Sequence, residues 1–214
     1  MERIDYALYL VTDRSLAKGR AMAEIVREAV AGGATCVQLR EKDCGTREFL
    51  EEARALKEIL KGTGVPLIVN DRVDVALAAG ADGVHVGQGD MPIGDVRRLA
   101  PKGWIVGVSA ESTEDAVRAE REGADYVGAS PVFATATKAD HAAPLGLEGL
   151  RRMRAATTIP IVAIGGIHAG NAREVVRAGA DGLAAVSAIV AADDPRAAAA
   201  EMRREIEAAR GAAT

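Results

Sequence analysis

Apolar residues in this chain gather in short continuous runs, separated by stretches in which they recur with helical spacing. Four runs open with a related phrase: Gly33-Ala34-Thr35-Cys36-Val37, Gly80-Ala81-Asp82-Gly83-Val84, Gly123-Ala124-Asp125-Tyr126-Val127 and Gly179-Ala180-Asp181-Gly182-Leu183. The phrases start 47, 43 and 56 residues apart, each after an Ala-rich, charged stretch. A glycine there takes the left-handed conformation that ends a helix, because it has no Cβ to clash. Four other runs, 6–11, 65–69, 104–108 and 160–164, lie between them. Unbroken apolar runs mark strands covered on both faces. Helical spacing is clearest over 21–31, 47–60, 113–122, 171–178 and 195–209. Eight strands alternating with eight helix-forming segments, one unit every ~25–30 residues, predict an α/β chain folded as a single (β/α)8 TIM barrel over residues 1–214. The alternative is a doubly wound open sheet. The repeat favours closure, since a ring of equivalent positions can use it, whereas an open sheet needs a switch point. The one long loop is 131–144, a length that marks a connection as functional or disordered.

Composition narrows the picture. Of 214 residues, 49% are hydrophobic but only 3% aromatic, so a large core must be filled by Val, Ile, Leu and Ala among 23 glycines. That hydrophobicity excludes a disordered chain. A net charge of −4 argues against a general nucleic-acid binder, which needs a basic face. No apolar stretch approaches the ~18 residues of a membrane helix. The start of the chain, with Glu2 and Asp5 around a short apolar run, lacks the parts of a secretory signal. Two cysteines, Cys36 and Cys44, cannot make a disulfide framework or a repeated CxxC zinc site. The expectation is a soluble, cytoplasmic protein with small-molecule partners, no nucleic acid and no membrane; a homo-oligomer is left open.

In a barrel the C-terminal strand ends form the active face. The residues at those ends are Gln38-Leu39-Arg40-Glu41-Lys42, Asn70-Asp71-Arg72, His85 to Gln88 with Asp90, Ser109, Ser130 with Thr135-Ala136-Thr137-Lys138, Gly165-Gly166 and Val186-Ser187. Asp71 and Asp90 end neighbouring strands and can converge on one spot. Two carboxylates suit Mg²⁺, which keeps waters and takes its remaining ligands from substrate phosphates. Arg40, Lys42 and Lys138 around the same spot, together with the metal, would nearly balance a diphosphate leaving group. Gly165-Gly166 and Val186-Ser187 match the place where barrels hold a monophosphate on backbone N–H groups. Two phosphate sites on one mouth imply two phosphorylated substrates.

Each feature has a plainer reading. An Asp-Arg pair after a strand is often a helix cap, an even alternative for Asp71 taken alone. The run Arg40-Glu41-Lys42 could be a solvated charge cluster, and Gly165-Gly166 a turn. Asp82, Asp125 and Asp181 fall at the N-terminal strand ends, where stability is the expected role. His85 reads as a packed core residue and Cys36 as core. His141, His168 and Cys44 have no partner groups that would make them ligands or nucleophiles.

Taken in order, Tyr9-Leu10-Val11-Thr12-Asp13, Gln38 to Lys42, Asn70-Asp71-Arg72, Val84 to Gln88 with Asp90, Gly107-Val108-Ser109, Pro131-Val132-Phe133 with Thr135 to Lys138, and Ile164-Gly165-Gly166-Ile167 resemble the thiamine-phosphate synthase family over nearly the whole chain. The resemblance implies a (β/α)8 barrel and a transferase. Such an enzyme joins 4-amino-5-hydroxymethyl-2-methylpyrimidine diphosphate to 4-methyl-5-(2-hydroxyethyl)thiazole phosphate, releasing diphosphate. It implies that Gln38, Leu39, Arg40, Glu41, Lys42, Asn70, Ser109 and Lys138 hold the pyrimidine diphosphate, with Arg40, Lys42 and Lys138 as the catalytic cations. It implies that Asp71 and Asp90 hold Mg²⁺, and that Thr135, Ala136, Thr137, Gly166, Val186 and Ser187 hold the thiazole phosphate. The implied chemistry is dissociative and needs no general base. Glu111 stands where the family often has His, Ala134 where Pro is frequent and Ser130 where Gly is common, which bears on rate more than on reaction type. The rival expectations are a related thiazole tautomerase, a non-catalytic barrel that binds a phosphorylated ligand, and a sugar-phosphate epimerase.

Overall fold

The computed structural model describes residues 4–135 and 143–211. Eight parallel strands pair in chain order and close on themselves, β8 against β1. They are β1 (Leu8–Val11), β2 (Cys36–Leu39), β3 (Leu67–Asn70), β4 (Gly83–Val86), β5 (Ile105–Ala110), β6 (Tyr126–Ala129), β7 (Ile161–Ala163) and β8 (Gly182–Ala185). The helices are α1 (Met22–Ala31), α2 (Thr46–Leu60), α3 (Val73–Ala79), α4 (Ile93–Leu99), α5 (Thr113–Glu122), α6 (Gly146–Ala156), α7 (Ala169–Arg177), α8 (Ser187–Val190) and α9 (Pro195–Gly211). The closed ring decides between the two sheet topologies in favour of the (β/α)8 barrel. Predicted strands run a residue or two early at their N-terminal ends, because apolar residues continue past the ladder into the barrel floor. None of the helices among the described residues is long and apolar enough to cross a membrane.

Side chains alternate across each strand. Leu8, Leu10, Val37, Leu39, Val69, Val84 and Val86 join the large cluster under the helices. Tyr9, Val11, Cys36, Ile68, Ile105, Tyr126, Val162 and Ala184 form a smaller cluster inside the barrel. The three tyrosines are all spent on this interior, and glycine makes room for one of them: a Cβ on Gly107 would lie 2.1 Å from Tyr126 Cζ.

The four-fold phrase has a structural cause. Gly33, Gly80, Gly123 and Gly179 all have positive φ, between 66° and 110°, where the chain leaves a helix and turns into a strand. Two residues later the polar side chain caps the floor of the strand before it. Thr35 Oγ1 accepts from Leu8 N at 3.1 Å, Asp82 Oδ2 from Leu67 N at 2.8 Å, Asp125 Oδ2 from Val106 N at 2.7 Å and Asp181 Oδ2 from Ile161 N at 2.8 Å. Each aspartate also meets a cation from the helix that precedes the strand it caps, Lys57 of α2, Arg97 of α4 or Arg154 of α6. The N-terminal face is therefore stitched for stability, leaving the other end for chemistry.

Candidate active site

The opposite end of the ring opens into a cavity of about 580 Å³. Gln38, Arg40, Lys42, Asn70, Asp71, Asp90, Ser109, Thr135, Gly166, Val186 and Ser187 all line it. Leu39 and Glu41, expected beside the substrate, do not. Strand alternation turns Leu39 into the core outside the barrel, and Glu41 turns back toward Arg14 at 3.3 Å. Ala136, Thr137, Lys138 and His141 lie outside the described residues. The ends of that loop are pinned: Val132 N donates to Ile164 O at 2.8 Å, Phe133 N to Gly165 O at 3.0 Å and Leu145 N to Pro131 O at 2.8 Å.

Asp71 does not cap a helix. Helix α3 starts after Arg72 with no side-chain cap, and the Asp71 carboxylate instead takes the Lys42 ammonium at 2.5 Å. Its φ of 61° is rare for a residue with a Cβ, a conformation that surrounding structure must hold and that clusters at functional sites. The main chain supplies that hold, with Asp71 N donating to His85 O at 2.8 Å. Asp90 Oδ2 accepts from Gly87 N at 2.7 Å. Burial, reinforced by the adjacent Asp71 charge, raises the Asp90 carboxyl above its ordinary range, although the Gly87 N–H opposes this. The two carboxylates thus bear on each other, and Lys42 already answers Asp71. Among the described residues no group of three or more His, Cys, Asp or Glu could cage a metal. A pair of carboxylates open to water and phosphate oxygens fits magnesium, which does not need a full protein cage.

Arg40 is held from both sides. Its N–H donates to Thr12 Oγ1 at 2.9 Å, and its guanidinium stands 3.7 Å from Asp13 Oδ2. Across the mouth, Gly165 and Gly166 have φ of 101° and 66°, and a Cβ on either would strike Pro131 or Phe133. Both glycines are thus required for the close approach of the loop after β6. His168 caps α7, Nδ1 accepting from Gly170 N at 3.1 Å.

Several cavity residues escaped sequence reasoning. His85 is in a strand as expected but its ring is not packed apolar: Nδ1 meets Tyr126 Oη at 2.9 Å and Nε2 meets Ser109 Oγ at 3.0 Å. Tyr9 and Tyr126 form the floor. Gln88 donates through Nε2 to Ser109 O at 2.6 Å and accepts from Arg118 at 2.6 Å, bracing β4 against β5. The period-two pattern could have found His85 and Tyr126, since both share the inward parity of Ile68 and Ile105.

The family model described as thiamine monophosphate synthase matches residues 8–189. A thiamine-phosphate synthase of Albidiferax ferrireducens is 59% identical over 94% of this chain and 92% of its own. One from Chloroflexus aurantiacus is 56% identical over 94% and 92%. The solved thiamine phosphate pyrophosphorylase of Pyrococcus furiosus superposes with a TM-score of 0.88 at 45% identity, covering 96% of this chain and 98% of that one. With the family model matched over most of its length and a solved relative that shares its barrel, the chain belongs to the thiamine monophosphate synthase family.

Proposed function

We propose that residues 1–214 act as one catalytic barrel in the cytoplasm, a transferase of thiamine biosynthesis. It joins 4-amino-5-hydroxymethyl-2-methylpyrimidine diphosphate to 4-methyl-5-(2-hydroxyethyl)thiazole phosphate. The observation that carries this is the gathering of Arg40, Lys42, Asp71 and Asp90 on one cavity from three separate strand ends. Arg40 and Lys42, with Lys138 from the loop, bind the diphosphate and stabilise its charge as the bond to the pyrimidine methylene carbon breaks. Asp71 and Asp90 would hold Mg²⁺, which when bound neutralises phosphate oxygens on the leaving side. Lys42 then exchanges its Asp71 partner for the diphosphate. Gln38, Asn70 and Ser109 hold the pyrimidine from below, with the main chain of Leu39 and Glu41 completing that rim. Thr135, Ala136, Thr137, Gly166, Val186 and Ser187 hold the thiazole phosphate on the far side, so that its ring nitrogen faces the carbon the diphosphate leaves. That nitrogen carries no proton, so a general base has no task and the protein contributes position and charge. Purified protein with Mg²⁺ and both substrates is expected to release diphosphate and thiamine phosphate in equal amounts. Binding of either substrate without product would mean a ligand-binding barrel instead.

A further inference from the structure

The segment after β1 runs beside the segment after β2 and holds it residue by residue. Thr12 N donates to Gln38 O at 2.9 Å, and Thr12 Oγ1 accepts from Arg40 N at 2.9 Å. Asp13 Oδ2 stands 3.7 Å from the Arg40 guanidinium, while Asp13 Oδ1 accepts from Ser15 N and Ser15 Oγ. Arg14 Nε lies 3.3 Å from Glu41 Oε2, and its two terminal nitrogens reach Glu48 and Glu52 of α2, the second at 2.6 Å. One guanidinium thus ties the loop that carries Arg40 and Lys42 to the helix that follows it.

Glu41 is not an ordinary member of a surface ion pair. Its side chain is 5% exposed where Arg14 is 48% exposed, and among the described residues its buried Oε1 has no hydrogen-bond partner. Burial, with the Glu52 charge beside it, disfavours the ionised form. A buried carboxylate so incompletely paired weakens the fold, and a native chain that keeps one calls for a reason outside stability. Its place in the chain supplies that reason. Arg40 and Lys42 line the cavity, and Glu41 between them does not. A grip on Glu41 from behind therefore sets where both neighbouring side chains start. The grip matters most with the anion bound, when Lys42 has left Asp71, its partner at 2.5 Å.

We propose that Arg14 is a positioning residue, which through Glu41 fixes the 40–42 segment so that Arg40 and Lys42 meet a diphosphate together. The inference rests on the proposed reaction for the identity of the anion, and adds to it the residue that places the cations.

Two variants separate this from a merely structural tie. Arg14→Lys keeps the charge but loses the planar fork that reaches three carboxylates. Glu41→Gln removes the buried charge, so a purely structural residue would give a more stable protein of unchanged function, whereas a positioning residue gives a higher Tm and a poorer site. The first readout needs no turnover: titration calorimetry of inorganic diphosphate with Mg²⁺. Both variants should weaken that binding roughly tenfold, since a misplacement of about 1 Å costs on the order of 100-fold. The second readout is the split of kinetic constants well below Tm. KM for the pyrimidine diphosphate should rise by a similar factor, while KM for the thiazole phosphate stays within about twofold. Diphosphate affinity within about twofold of the unaltered protein in both variants, or an equal rise in both KM values, overturns the proposal. A protein that binds diphosphate in this Arg14-dependent way but forms no thiamine phosphate would overturn the proposed reaction and leave the positioning role standing.

Discussion

Replacing Asp125 by Ala at the barrel floor tests whether the two faces of this fold divide stability from chemistry. The Asp125 carboxylate accepts from Val106 N at 2.7 Å and from Arg97 at 2.7 Å. Removing it leaves the Val106 N–H of β5 without its carboxylate acceptor, a loss of about 1–3 kcal/mol when the group is buried. Asp125 and Arg97 have side chains 37% and 29% exposed, so water recovers part of that bond and the ion pair itself adds less than about 1 kcal/mol. The sum is about 2–3 kcal/mol, which for a domain of this length lowers Tm by roughly 5–10 °C. Thermal unfolding followed by circular dichroism measures the first quantity, and kcat/KM for product formation well below Tm measures the second. The expected outcome is the full Tm loss with kcat/KM changed less than about threefold, since the group lies at the face opposite the mouth. A Tm shift under about 1 °C, or an activity loss that outruns the stability loss, would refute the division of labour.

At the mouth the expectation inverts: Asp71→Ala and Asp90→Ala should each raise the Mg²⁺ concentration needed for half-maximal turnover while leaving Tm nearly unchanged, and parental activity in both variants at limiting Mg²⁺ would remove them as ligands. Burial, with the Glu52 charge beside it, raises the Glu41 carboxyl above its ordinary range, and Arg14 only partly opposes this. The folded state thus holds that proton more tightly than the unfolded chain, so stability falls as pH climbs from the unfolded value of about 4.3 through the raised folded one. Glu41→Gln removes the penalty, and its Tm gain should be larger at pH 7 than at pH 4; equal differences at the two pH values would contradict the assignment. Gly107→Ala should cost about 1–3 kcal/mol in urea unfolding, because the new Cβ would lie 2.1 Å from Tyr126 Cζ and the ring must move.

The elements of this barrel were legible because their signals are local. An apolar run, a helical period and a glycine that ends a helix each act within a few residues, so the eight strands and the polar residues at their C-terminal ends could be read directly. Asp71, Asp90, Arg40 and Lys42 were found that way, and their convergence followed from strand order alone. Tertiary structure alone settled which of two neighbouring side chains enters the mouth. Leu39 and Glu41 stand beside Gln38, Arg40 and Lys42 in sequence, yet Leu39 ends β2 on the face toward the helices and Glu41, past the strand, turns to Arg14, because which face of a strand points into the ring is decided by its register with both neighbours. It also settled the contacts of His85 and the two tyrosines. Tyr9 and Tyr126 are 117 residues apart, and their hydroxyls meet only once the ring has closed. Closure is a property of all eight strands together, so no window of sequence contains the distance that brings those groups together.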